Sequence, residues 1–146
     1  MAQTQMNQFS AIKRNKPSSP AKWLHENRLL VGRTLDFGCG RGMDATTYDL
    51  EAYDPYWRSN MPTGKFDTII CIYVLNVVTI QQGGSIIEQI KEKLKPGGKA
   101  YFAVSRNLKR TKGGRDCIQR RVTLSFPSVR EVGSYQIYKW TKPFAS

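Results

Sequence analysis

The chain has 146 residues, 40% of them hydrophobic, and its 23 Lys and Arg against 11 Asp and Glu give a formal net charge of +12. This length predicts a single domain, residues 13–146, behind a flexible tail of residues 1–12. No apolar run is long enough to span a bilayer and the N-terminal residues are polar, so we expect no membrane partner, no secretory signal and a cytoplasmic location.

Cysteine content and charge narrow the class of protein. Cys39, Cys71 and Cys117 form an odd set without CxxC spacing, so we expect neither a disulfide framework nor a metal site. The excess of positive charge attracts polyanions, above all nucleic acid, and it also favours solubility. Both explanations of the charge stay open at this point.

The first predicted elements are a helix and a strand. Ser19 followed by Pro20 is typical of a helix N-cap with proline at the first helical position, and apolar residues recur beyond it. This pattern predicts a helix over Pro20–Leu30. The short apolar stretch Arg33–Phe37 predicts the first strand.

A glycine-rich turn follows this strand directly. Residues 38–42 read Gly-Cys-Gly-Arg-Gly, residues 43–49 have room for about two helical turns, and residues 51–53 predict a second strand that ends at Asp54-Pro55. The order strand, glycine turn, helix is typical of nucleotide-binding folds. Residues 56–65 contain Pro and Gly and predict an irregular loop.

The middle of the chain predicts the centre of a parallel sheet. Residues 66–78 form the longest apolar run, rich in Ile and Val and without alternation, as in a strand buried on both faces. Ser85–Leu94 has helical spacing, and Pro-Gly-Gly ends it before a predicted strand at Lys99–Val104. Strands alternating with helices predict an α/β fold.

The C-terminal third begins with a basic loop. Arg106–Arg121 contains seven Lys and Arg against the single acid Asp116. Partial alternation in Arg121–Phe126 and in Tyr135–Trp140 predicts two terminal antiparallel strands.

The glycine turn and the acid after the second strand predict one binding site. Backbone N–H groups at a helix N-terminus, without side chains around them, offer donors to a nucleotide-like ligand, and Asp54 is placed to accept hydrogen bonds from ribose hydroxyls. In a doubly wound sheet this site lies beyond the carboxyl ends of the strands, where residues 73–76 and Ser105 join it. The alternative is an ordinary tight turn with a solvated Asp54.

Four segments in order resemble the motifs of class I S-adenosylmethionine-dependent methyltransferases. They are LDFGCGRG, AYDPYW, FDTIICIYVLNVV and LKPGGKAYFAV. The resemblance covers roughly residues 13–104 and implies a minimal Rossmann-like fold with a mostly parallel sheet and S-adenosylmethionine as cofactor. KRNKPSSPAKWL, followed by LDFGCGRG and VLNVV, resembles a small group of bacterial and phage methyltransferases, some of them linked to DNA phosphorothioation.

The resemblance also implies roles for individual residues. Asp36 and the glycines would meet the methionine part of the cofactor, Asp54 its ribose and Tyr56 its adenine. Tyr73 and Asn76 would orient the substrate and are the candidate catalytic residues. The full set of implied cofactor-binding residues is Asp36, Phe37, Gly38, Cys39, Gly40, Gly42, Asp54, Pro55, Tyr56, Val74 and Leu75.

One departure from the family pattern concerns the sheet. Only about a dozen residues separate Asp54 from Phe66, too few for the helix and third strand that the full fold inserts there. We therefore expect the third strand to be missing and the second strand to be an open edge. Homodimerisation through this edge is a hypothesis.

The acceptor is harder to predict. Amino-methylating DNA enzymes carry Asp/Asn-Pro-Pro-Tyr after the fourth strand, where this chain has VLNVV, so Asp54-Pro55-Tyr56 is interpreted as part of the cofactor site. Cys71 lies in an apolar strand and Cys39 in the glycine turn, which makes both poor nucleophiles. His25 is expected to have a packing or surface role.

Three functions stay open on the sequence. The leading hypothesis is a nucleic-acid methyltransferase, since the basic residues 106–121 follow the strand next to the cofactor and residues 13–16 add charge, although a plain solvated loop is nearly as consistent with them. The second is a protein that binds S-adenosylmethionine and either methylates a small molecule or has no turnover. The third, a dinucleotide-binding protein, is disfavoured by the GxGxG spacing.

Overall fold

The computed structural model describes residues 15–107 and 119–144. The predicted tail, Lys13, Arg14 and residues 108–118 of the basic loop lie outside them. Across the described residues, no helix has both the length and the apolar character that crossing a membrane requires. The elements are helices α1 (Ser19–Glu26), α2 (Met43–Tyr48) and α3 (Ile80–Lys93), and strands β1 (Thr34–Phe37), β2 (Glu51–Tyr53), β3 (Phe66–Ile72), β4 (Leu94–Ser105), β5 (Ser128–Glu131) and β6 (Tyr135–Thr141).

The strands form one six-stranded sheet in the order β2-β1-β3-β4-β6-β5. The first four of these strands are parallel, whereas β6 pairs antiparallel with both β4 and β5. This arrangement confirms the predicted α/β fold with a mostly parallel sheet and a terminal antiparallel hairpin. Residues 55–65 contain neither a helix nor a named strand, so the third strand is absent as predicted and β2 is an edge.

Alternate side chains of the central strands build two cores, one on each face of the sheet. On one face, here the α3 face, Ile69, Cys71 and Phe102 pack with Ile86 and Ile90 of α3. On the opposite face, the α1 face, the buried residues are Leu24 of α1 with Ile70, Tyr101, Ala103, Tyr135 and Ile137 of the sheet. The continuous apolar run of β3 is explained by this burial on both faces.

The N-terminal helix is shorter than predicted and is capped one residue earlier. Ser18, not Ser19, is the N-cap, because its hydroxyl accepts a hydrogen bond from the N–H of the third helical residue at 3.3 Å. The helix ends at Glu26 rather than Leu30, because Arg28 has φ of +58° and cannot continue it. Apolar spacing beyond Glu26 reflects packing on the α1 face and not helical geometry.

The strand predicted at Arg121–Phe126 is wrong. These residues run without strand pairing, and the outer strand of the hairpin is β5, a few residues further on. Val122, Leu124 and Phe126 nevertheless pack against the α3 face, and Phe126 lies 5.6 Å from the ring of Phe102. Their alternation therefore reflects one-sided burial of an extended chain, which sequence alone cannot distinguish from strand pairing.

The apolar run at 66–78 divides into two parts. β3 ends at Ile72, Tyr73 takes φ of +61°, and Leu75–Val77 form a 3-10 turn. α3 then begins earlier than the predicted Ser85, because Thr79 and Gln82 form a capping box. The strand after it begins at Leu94 rather than Lys99, with a register irregularity opposite β3.

Candidate active site

The carboxyl ends of β2, β1, β3 and β4 meet along one side of the sheet, here called the carboxyl edge. The glycine turn follows β1, Asp54 follows β2, Tyr73 follows β3, and Ser105 ends β4. The parallel topology therefore brings together the segments that the sequence placed at one rim. In open α/β sheets this is where ligands bind.

The glycine turn is held by its own backbone. Its glycines have φ of +82° at Gly38, +57° at Gly40 and +86° at Gly42, in the region that side-chain-bearing residues rarely adopt. The N–H groups of Gly38 and Cys39 donate to the Tyr53 carbonyl at 2.7 and 3.0 Å. The N–H of Gly42 donates to the Cys39 carbonyl at 3.0 Å.

These bonds correct the expectation that the turn offers its amides to a ligand. The N–H of Gly40 is also engaged, donating to Asp54 Oδ2 at 2.9 Å. Four N–H groups of the turn are therefore bonded within the protein, and three of them join the turn to Tyr53 and Asp54 at the end of β2. What the glycines leave open is a stretch of backbone without side chains. A close approach to the backbone, rather than a set of free N–H groups, is what this turn provides.

Asp54 is buried and not solvated, which contradicts the alternative of an ordinary turn beside a solvated acid. Its side chain is 5% exposed. While Oδ2 accepts from Gly40, Oδ1 accepts from the N–H groups of Tyr56 at 2.9 Å and Trp57 at 3.1 Å. Asp54 thus joins the glycine turn to the loop that replaces the missing third strand, and Pro55 lies within that loop.

A second acid lies beneath the turn. Asp36 in β1 is 3% exposed, and its burial, followed by the charges of Asp44 and Asp54, raises the pKa of its carboxyl well above the usual value. Asp44 in α2 accepts hydrogen bonds from the backbone N–H and the hydroxyl of Ser18 at 2.6 and 2.7 Å. Within the described part of the chain no group of acids, histidines and cysteines is arranged to hold a metal ion.

The surroundings of both described cysteines disfavour the thiolate form. Burial, together with the charges of Asp36 and Asp54, raises the pKa of Cys39 to about 12, and burial likewise raises the pKa of Cys71. A thiol in this state is not a nucleophile near neutral pH. These pKa shifts support the prediction that neither cysteine is catalytic. Cys117 lies outside the described residues.

Exposed aromatic and cationic side chains surround the glycine turn. Tyr56 is 47% and Trp57 42% exposed, and the Arg41 guanidinium lies 4.5 Å from the centroid of a Trp57 ring. Gly42 has φ of +86°, a conformation that strains any residue with a side chain, and the exposed guanidinium of Arg58 lies 2.9 Å from where its Cβ would be. The cofactor-binding residue predicted at 56 is thus at the surface beside the turn, where a flat ring can stack on it.

The residues predicted to contact substrate have different environments. Tyr73 is half-buried at the end of β3, and its N–H donates to the Ala103 carbonyl at 2.8 Å. Asn76 is 1% exposed and its side chain bonds to protein groups on both sides, so the geometry favours a positioning role over contact with substrate. Val74 and Leu75 pack in the core of the α3 face.

Two further side chains clarify the sequence predictions. The ring of His25 stacks on Tyr48 at 4.5 Å between centroids, which joins α1 to α2 and confirms the expected packing role. Sequence reasoning missed Arg120, which bonds to Asn76 and to carbonyls of the 3-10 turn. Nothing in the sequence separates Arg120 from the other cations of the basic loop.

A parallel sheet with a glycine turn and a buried carboxylate at its carboxyl edge defines a Rossmann-like cofactor-binding domain. Residues 8–134 match the Methyltransferase domain family, and the chain belongs to that family. The protein is therefore a methyltransferase by family. No curated protein matches the chain in sequence.

Solved methyltransferase structures share the fold. The 1,6-didemethyltoxoflavin-N1-methyltransferase of Burkholderia thailandensis is 18% identical, with 86% of this chain and 77% of that one covered and a TM-score of 0.61. The methyltransferase SibL is 10% identical, with 86% and 55% covered and a TM-score of 0.62. Magnesium protoporphyrin IX methyltransferase of Synechocystis PCC 6803 is 14% identical, with 85% and 80% covered and a TM-score of 0.55.

Proposed function

We propose that this methyltransferase transfers the methyl group of S-adenosylmethionine to nucleic acid. The observation that carries the cofactor assignment is the buried pair Asp36 and Asp54 at the two sides of the glycine turn. S-adenosylmethionine carries a sulfonium and an ammonium group, and a desolvated acidic field attracts such a cation. The Burkholderia and Synechocystis neighbours were solved with bound S-adenosylhomocysteine.

Each part of the cofactor has a candidate partner in this chain. The backbone of the glycine turn and Asp36 would hold the methionine part, and Asp54, already fixed by three backbone N–H groups, would present its remaining lone pairs to the ribose. Tyr56 would stack on adenine. These assignments follow the family resemblance and agree with the burial and positions described above.

The chemistry asks little of the protein beyond positioning. When bound, S-adenosylmethionine supplies a methyl group that passes to an acceptor atom by displacement, leaving S-adenosylhomocysteine and releasing the acceptor's proton. Tyr73, at the carboxyl end of the central strand, is the candidate for orienting the acceptor. Because burial raises the pKa of Cys39 and Cys71 and disfavours their thiolates, attack on a base through a cysteine is not part of the proposal.

The acceptor assignment depends on charge. The net charge is +12, and the basic loop follows β4 and therefore starts at the carboxyl edge with Arg106 and returns there with Arg120 and Arg121. Nucleic acid binds through phosphate neutralisation by such cations. We expect the logarithm of the binding constant to fall linearly and steeply with the logarithm of salt concentration.

A labelling experiment tests the acceptor directly. The protein is incubated with S-adenosylmethionine labelled in the methyl group and with separate pools of DNA, RNA and small metabolites. We expect label in one of the nucleic acids. Label confined to the metabolites would overturn the nucleic-acid proposal while leaving the methyltransferase in place.

Site variants test the cofactor assignment. D54N and G40L are expected to weaken binding of S-adenosylhomocysteine, measured by calorimetry, by about tenfold or more, or about 1.4 kcal/mol. D49N is the matched control, because Asp49 is an exposed acid at the end of α2. Unchanged binding in D54N and G40L would remove the proposed site.

A second candidate is a small-molecule methyltransferase. The neighbours from Burkholderia and Synechocystis are named for a toxoflavin precursor and a porphyrin, which favours this alternative. The labelling experiment distinguishes the two. Kinship with the phage and phosphorothioation-linked group, and a cytoplasmic location, stay predictions.

A further inference from the structure

An exposed tryptophan and two exposed arginines lie together beside the glycine turn. Trp57 is 42% exposed, and the Arg41 guanidinium lies over its indole, 4.5 Å from a ring centroid. The Arg58 guanidinium lies against the turn, 2.9 Å from the position that a Cβ on Gly42 would take. Arg41, Trp57 and Arg58, together called the indole patch, are all at the surface. They form a surface that is both cationic and aromatic.

The backbone that carries Trp57 and Arg58 is held by hydrogen bonds. Asp54 and Arg58 exchange two of them between backbone N–H and carbonyl groups, at 2.8 and 3.0 Å. The buried side chain of Asp54 accepts from the N–H groups of Tyr56 and Trp57 within the same turn. A binding surface on an ordered backbone loses less conformational freedom when a ligand binds. The indole patch is therefore organised in advance of any contact with a partner.

The two arginines of the indole patch have no acidic partner among the side chains that the structure describes. The ion pairs found there involve four other cations, Arg33, Lys91, Lys95 and Arg106. A guanidinium presents its N–H donors in a planar fork that matches the oxygens of a phosphate. An anion at the patch is therefore attracted by two charges and displaces none of the described acids.

The combination of groups narrows the ligand to a nucleotide. An exposed indole stacks on any base, and arginine binds phosphate as well as stacking on bases. Bases inside a duplex are already paired and stacked, so only an unpaired base can lie against a side chain. An acidic peptide would engage the charges but would leave the indole without a planar partner.

We propose that the indole patch binds one unpaired nucleotide of the acceptor, with its base against Trp57 and its phosphate on Arg58. This inference rests on the proposed nucleic-acid function and adds the form of the acceptor, a single strand. The patch follows β2, whereas Tyr73 follows β3, and β1 lies between these strands. Two strand spacings amount to about 10 Å. The nucleotide on the patch therefore flanks the one that is methylated.

Tryptophan fluorescence tests the stacking. The chain has three tryptophans, of which Trp140 is half-buried against the α3 face. The wild type and two variants are titrated with a single-stranded DNA oligonucleotide, an RNA oligonucleotide of the same sequence and the DNA duplex. We expect at least one single strand to quench the fluorescence of the wild type and of the matched control W140F, and the duplex to quench it little. W57F is expected to lose this quenching.

Affinity measurements separate stacking from charge. W57L is expected to weaken binding of the single strand about tenfold, with binding of S-adenosylhomocysteine unchanged. R58Q removes one phosphate contact, so the slope of the logarithm of the binding constant against that of salt is expected to become about 0.7 shallower. K99Q is the matched control and is expected to keep the slope of the wild type. Lys99 is exposed and level with the start of β1, away from the glycine turn.

Each contrary outcome has a distinct meaning. Quenching that persists in W57F, quenching by the duplex equal to that by the single strand, or wild-type affinity in W57L would overturn the indole patch as a nucleotide site. Equal losses of single-strand and S-adenosylhomocysteine binding in W57L would assign Trp57 to the cofactor and also overturn it. Label entering nucleic acid together with any of these results leaves the proposed function intact. If the wild type neither binds nor methylates any oligonucleotide, the proposed function fails and this inference fails with it.

Discussion

The carboxyl group of Asp36 has the least favourable electrostatic environment described at the site. It is buried beneath the glycine turn, and the charges of Asp44 and Asp54 oppose its ionisation. A buried group with a raised pKa favours its neutral, protonated form. A carboxyl group whose ionisation destabilises the fold is expected at a functional site, where a bound cation can stabilise the ionised form.

The pH dependence of stability tests this environment. Because the folded pKa of Asp36 lies above its unfolded value, near 3.9, the folded state binds more protons and the free energy of unfolding falls as pH rises between the two values. D36N mimics the neutral form, so the variant is expected to be more stable than the wild type near pH 8 and to lose that advantage near pH 4. Urea unfolding across this range measures it.

D49N is again the matched control, since Asp49 is exposed. We expect its stability curve to run parallel to that of the wild type. A constant difference between D36N and the wild type from pH 4 to pH 8 would contradict a raised pKa at Asp36.

At the scale of elements, α3 depends on its first turn. Thr79 accepts from the N–H of Gln82 at 3.1 Å, and the Gln82 side chain accepts from the N–H of Thr79 at 2.9 Å. T79A removes one of these bonds and is expected to lower the free energy of unfolding by about 1 kcal/mol. T123A, at an exposed residue outside helices and strands, is expected to change it by less than about 0.5 kcal/mol.

The elements also show which sequence signals are sufficient. The first strand, the glycine turn and the missing third strand were predictable, because glycine spacing and chain length act locally on the backbone. The start of α3 was not predictable, because Gly83 and Gly84 interrupt the apolar spacing of its first turns. The helix begins there because Thr79 caps it. The strand prediction at 121–126 was wrong because alternating apolar residues indicate burial on one side, whether or not the segment is hydrogen-bonded to a neighbouring strand.

The site likewise has features that the sequence predicts and features that it does not. Asp54 was placed correctly at the carboxyl edge because it follows a strand and precedes proline. The bonds that join the turn to Asp54 and to Tyr53 span fourteen or more residues, so no local sequence pattern indicates them. The bonds between Asn76 and Arg120 span an even longer separation, forty-four residues.

At the scale of the whole molecule, the exposed edge of β2 bears on whether the chain forms a dimer. β2 has three residues, and within residues 15–107 and 119–144 it pairs with β1 alone. Homodimerisation through this edge stays a prediction. Light scattering is expected to give twice the chain mass of 16.6 kDa. A monomeric mass at every concentration would remove the dimer and leave the cofactor site unaffected.

The raised pKa of the Asp36 carboxyl has a thermodynamic consequence for the proposed reaction cycle. A ligand with a positive sulfur favours the ionised carboxyl, so its uptake would expel a proton, and the neutral thioether left after transfer would allow that proton to return. Acid would then weaken binding of the positively charged substrate more than binding of the product. The heat of binding, compared in buffers of different ionisation enthalpy, would reveal the proton exchanged.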